Sequence, residues 1–250
     1  PSLKETEYHK ENQMQSVREP EQHHLLVQQK LKDSFGPSYM TALSVIQAAA
    51  LADLALIVAG NYQHFTYTQW LQVLLSFGMF IFFWNQYTMH SAMWEWIPDL
   101  RDAAIPFVTG GFELLLNHTI PANLSLWLFA AAAMLAIGAA TTWHTILRAG
   151  EETENSRLLA LLSRQHRLSE LYLLAGSVLL LLFAGVSYVG NMQVSDVVQS
   201  GRGLLALALI LLVVAYLSVF GIVSIRYWHL VVTYARTGYI PGMKAEDRIT

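Results

Sequence analysis

The sequence predicts an all-α fold: a polytopic integral membrane bundle of six transmembrane helices, with both termini in the cytoplasm. Three observations carry this. Of the 250 residues, 13% are charged and 54% hydrophobic, whereas an ordinary soluble domain has about 25% charged residues. Six apolar stretches follow a polar opening, at 38–60, 68–94, 103–117, 123–147, 168–190 and 203–232. With six crossings, 14 Lys and Arg residues fall on one side and Arg202 alone on the other. Cationic loops resist translocation and stay in the cytoplasm, so this asymmetry sets the orientation.

Residues 1–36 form a polar cytoplasmic segment with five basic and six acidic side chains. Its end places Leu25, Val27, Leu31 and Phe35 in a pattern suited to a short interfacial helix. The transmembrane domain follows at 37–236, and a cytoplasmic tail at 237–250. Five of the six apolar stretches reach the 20 or so residues that a spanning helix needs. The third has 14 residues between 103 and 116 and contains Pro106, Gly110 and Gly111. It is expected to be short or broken, and a non-helical segment at membrane depth must be buried in protein or line a wet cavity. In the fourth, FAAAAMLAIGAA offers small residues for close backbone approach and marks a buried scaffold helix. After it, residues around 154–167 read as a capped amphipathic cytoplasmic helix running toward the fifth span.

Aromatic rings at Tyr67, Trp70, Trp94, Trp96, Trp127, Tyr188, Tyr227 and Trp228 lie near the borders of the apolar stretches, the headgroup level they prefer. A net charge of −3 offers no basic surface for nucleic acid. The absence of cysteine rules out disulfides and thiolate metal sites. No GxSxG elbow, P-loop, GxGxxG or HExxH occurs, so no enzymatic template is present. No internal repeat marks an inverted-repeat transporter.

Function is therefore sought in polar residues at membrane depth, each costly enough to require a partner or a wet cavity. Asp53 in the first helix and Glu113 in the third both fall in the outer half, and counting from the helix starts places them at one level. Gln47 lies about 9 Å below Asp53 at 1.5 Å per residue. Asn117 is one turn beyond Glu113. Two carboxyl groups facing each other across a bundle can share a proton, or bind a cation that replaces it. Carbonyls freed near Pro106 would add ligands. Asp53, Glu113, Gln47 and Asn117 thus form a candidate cation or proton site in a small transporter or channel of a plasma (inner) membrane. Six helices leave little room for a wide path in one chain, so a homo-oligomer is expected.

A second group lies in the inner half. His90, His144 and His229 fall at similar depth on the second, fourth and sixth helices, with Asn85, Gln86 and Arg226 nearby. Two histidines on facing helices can hold haem b and three can hold zinc. This leaves open a membrane-bound haem redox protein using His90 and His144. His64 and His118 would be a second, outer pair. Asp99 and Asp102 would suit a divalent metal beside a lipid phosphate. The third reading is a non-catalytic membrane scaffold or sensor, docking a partner through the N-terminal segment and the 154–167 helix.

The cysteine-free chain makes the orientation directly measurable. In intact cells, Gln63→Cys is expected to react with an impermeant maleimide, and Gln165→Cys to react only after permeabilisation. The reverse pattern would invert the topology.

Overall fold

A computed structural model describes residues 3–94, 100–152, 155–193 and part of 211–236. The turn carrying Glu95, Trp96 and Asp99, the loop carrying Arg202, Tyr227 and the tail 237–250 lie outside the described residues, as do the side chains of residues 1–28. All described secondary structure is helical. The elements are α1 (Leu3–Asn61), α2 (Tyr67–Met93), α3 (Leu100–Thr119), α4 (Leu124–Glu151) and α5 (Ser156–Gln193). The described residues between 211 and 236 are helical and are referred to as α6.

Three helical stretches are long and apolar enough to cross a membrane: Gln29–Asn61, Leu124–Glu151 and His166–Tyr188. α2 has 27 residues, about 40 Å at 1.5 Å per residue. Its length suffices, but Gln69, Gln72, Asn85 and Gln86 dilute its apolar character. The surface is consistent with an apolar surrounding. Leu56, Leu74, Phe107, Phe129, Leu171, Leu182 and Ile225 are all more than half exposed, a distribution a water-soluble monomer avoids on this scale.

The expected break in the third helix is absent. α3 is one 20-residue helix running through Pro106 and both glycines, about 30 Å long. Pro106 is its seventh residue, where the ring removes a single hydrogen bond, to the Asp102 carbonyl. α1 is continuous from Leu3 to Asn61, so the short interfacial helix is part of a longer rod. The amphipathic 154–167 helix likewise continues without interruption into α5.

Helix starts are fixed locally. Thr66 and Gln69 form a reciprocal capping box at α2, which satisfies two donors the first turn leaves open. Asn123 caps α4 by accepting from the Ser125 amide at 2.7 Å.

The core is centred on α4, with Ala130, Ala131, Ala132, Met134, Leu135 and Ala139 buried, as the small-residue run predicts. A Cβ at Gly138 would stand 2.6 Å from the Phe83 ring of α2 and 3.6 Å from Leu173 of α5. Glycine here lets three helices meet. Ser177 of α5 donates to the Ala132 carbonyl of α4 at 2.9 Å, and the Trp127 indole of α4 donates to Ser76 of α2 at 3.1 Å. Gly138→Val is expected to lower stability by about 1–3 kcal/mol through overpacking, read as a lower unfolding temperature in detergent. Adding Phe83→Leu should restore part of the loss, and strict additivity would contradict the contact.

Candidate functional site

α1 and α3 pack side by side, and their contacts rise together along both chains. Ile46 meets Gly110, Gln47 meets Glu113, Ala50 meets Asn117, and Asp53 meets Asn117 and His118. The helices are therefore parallel. Gly110 makes this possible, because a Cβ there would clash with the Cγ2 methyl of Ile46. Close approach of the two backbones then lets short polar side chains reach across.

The buried polar side chains of α3 include Asp102, Thr109, Glu113 and Asn117. The last three are four residues apart and share a face. From Asp102 to Asn117 the stripe rises about 22 Å, most of the hydrocarbon thickness. Glu113 and Asn117 are 0% exposed. The Gln47 amide donates to Glu113 Oε1. The Asn117 amide donates to the Ala50 carbonyl at 2.9 Å and to Asp53 Oδ2 at 3.0 Å, so two acceptors fix its orientation. Beyond it the exposed His118 stands 3.4 Å from Asp53 Oδ1. Glu113 Oε2 and Asn117 Oδ1, one turn apart, are buried acceptors without a hydrogen-bond partner among the described residues.

The four residues Asp53, Glu113, Gln47 and Asn117 thus come together, but not with the two carboxyl groups facing each other. Each carboxyl group instead faces an amide of the neighbouring helix. Glu113 is level with Gln47, and Asp53 with Asn117. Equal depth was inferred from counting residues, which assumes that both helices start in one plane. The actual register sets the two acids about one and a half turns apart.

On the Asp102 side a cavity of about 260 Å³ opens among α1, α2, α3 and α4. Asp33, Tyr39, Tyr87, His90, Asp102 and Thr145 are among its lining residues. Of these, Tyr87 is buried, and its hydroxyl lies 2.8 Å from Thr109 Oγ1.

The remaining sequence-derived candidates are distributed differently. His144 Nε2 is 2.9 Å from Asp102 Oδ1. The His90 ring lies 6.1 Å from that of His166, which in turn lies 5.4 Å from Trp94. His229 and Arg226 are exposed on α6, and His64 is exposed in the turn after α1. Among the described residues no three His, Asp or Glu side chains gather as a metal cluster, so the three-histidine zinc arrangement is not formed there. Asp99, the other half of the proposed lipid-phosphate metal site, lies outside the described residues. Gln86 donates to Ser224 of α6 at 2.9 Å, and Asn85 lines the adjacent apolar groove with Ser218 and Gly221. Arg226 is not part of that contact.

Sequence reasoning missed Thr109, Tyr87 and His166. For Thr109 the signal was present, since Thr109, Glu113 and Asn117 repeat at four-residue spacing. For the other two no local pattern reveals the partner.

Asn117→Leu is expected to cost about 1–3 kcal/mol by stranding buried acceptors on α1. The check is the unfolding temperature in detergent, and an unchanged midpoint would contradict the bonding described. The chain matches no family model, no curated protein and no solved structure.

Proposed function

We propose that this protein is an integral membrane transporter or channel that moves a proton or a small cation along the buried face of α3. The observation that carries the reading is the pair of unpartnered buried acceptors, Glu113 Oε2 and Asn117 Oδ1, set in a polar stripe. A buried ionised carboxyl group with a single amide donor is poorly compensated. A proton or bound cation on Glu113 removes that cost, and exchange of that cation between the two ends of the stripe is transport. The buried polar side chains Gln47, Thr109, Glu113 and Asn117 give stability no advantage over leucine. They are what an ion pathway requires.

The remaining architecture fits this reading. Six crossings put 14 of the 15 cationic residues on the cytoplasmic side, with both termini in the cytoplasm of a cell bounded by a plasma (inner) membrane. The cavity at the Asp102 end is then the cytoplasmic vestibule. Asp53 and His118, partly open to the surroundings, form the outer end. A homo-oligomer with one path per chain suits a bundle this small. Haem or metal chemistry on the inner histidines has no comparable support: His144 is already engaged with Asp102.

The test is flux in liposomes containing purified protein. Glu113→Gln keeps the shape and the Gln47 contact but cannot exchange a proton or hold a cation, so proton or cation flux should fall at least tenfold. Wild-type flux in that variant would remove the reading.

A further inference from the structure

Glu113 is not among the residues that line the cavity, whereas Tyr87 is. Tyr87 is 4% exposed, and its hydroxyl is held 2.8 Å from Oγ1 of Thr109, the residue one turn before Glu113 on α3. Phe83 and Thr109 are equally buried. A hydrated metal cation would have to displace the ring, whereas a proton needs only a chain of hydroxyl groups. Resting on the transport reading above, we infer that Tyr87 is the selectivity element of the path, and that the transported species is the proton and not a metal cation.

The relay balances without leaving charge on the tyrosine. A proton from the cavity binds the Tyr87 phenol oxygen as the phenol releases its own proton to Thr109 Oγ1. Thr109 passes its proton to Glu113 Oε2. Thr109 and Glu113 are four residues apart, about 5–6 Å between Cβ atoms, a gap that their side chains or one bridging water closes. Each hydroxyl gains one proton and loses one. Glu113 takes the proton on the oxygen that has no other partner. One turn further, Asn117 and Asp53 lead to His118 at the surface.

The experiment uses proteoliposomes with two readouts: a pH-sensitive dye for protons and radioactive sodium for cations. Wild type should move protons and take up no sodium beyond protein-free liposomes. Tyr87→Phe keeps the ring and removes the hydroxyl, so proton flux should fall at least tenfold with sodium uptake still absent. Thr109→Val, which interrupts the same relay from α3, should do likewise and serves if Tyr87→Phe fails to fold. Tyr87→Ala removes the plug and should admit sodium. A purely structural role for Tyr87 would not create a sodium leak. Sodium uptake by wild type, or unchanged proton flux in both Tyr87→Phe and Thr109→Val, would overturn the inference. If those two variants are unaffected while Glu113→Gln is inactive, the transport reading stands and only the relay fails. If Glu113→Gln is also fully active, the transport reading itself fails.

Discussion

The structure depends on the approach of α1 to α3 at Gly110. With no side chain at that position, the Ile46 methyl fills the space, and the two helices come close enough for amides to bond across the seam. The polar contacts between α1 and α3 follow from this approach. The reach of Gln47 to Glu113 and of Asn117 to Asp53 is short, and a wider separation would leave four polar side chains stranded. In an apolar surrounding there is little hydrophobic drive between helices, so small residues and cross-helix hydrogen bonds decide which helices pair. The same device recurs where Gly138 receives Phe83, and there it builds a mainly apolar core.

The two uses of glycine divide the molecule. Around α4 the close packing seals the bundle with alanine, leucine and aromatic side chains. Along α3 it lines up hydroxyl, carboxyl and amide groups. The α3 stripe is the costlier arrangement, since buried polar groups tolerate no slack and two acceptors remain without partners. Leucine in those places would leave no acceptor unsatisfied, and the stripe begins at Asp102, which lines the polar cavity.

Much of this was legible in the sequence. The all-helical class, the limits of α2, α3 and α4 to within a few residues, the alanine-rich scaffold helix and the set Gln47, Asp53, Glu113 and Asn117 follow from hydropathy and from the rarity of polar residues at depth, whereas α1 and α5 run well beyond their apolar stretches. Pro106 misled, because a proline and two glycines suggest interruption. Near the start of a helix, however, proline costs one bond, and Gly110 serves packing. The relative height of Asp53 and Glu113 was also misjudged. Depth counted along one chain says nothing of how far a neighbouring helix is shifted, and that shift is set by the fit of Ile46 against Gly110. Tyr87 carried no signal, since an aromatic residue in an aromatic-rich helix looks like core until its hydroxyl is seen against Thr109.

The close contact at Gly110 can be measured in the membrane itself. A Cβ at position 110 would lie 3.6 Å from the Ile46 Cβ, within the range a disulfide accepts. In this cysteine-free chain, the pair Ile46→Cys and Gly110→Cys should cross-link under mild oxidation in native membranes. Ala48→Cys, exposed away from the seam, should not cross-link to Gly110→Cys. Cross-linking at 46 and 110 but not at 48 and 110 is the outcome the account requires. Failure of the first pair, or equal reaction of both, would place α1 and α3 in another register and separate Gln47 from Glu113.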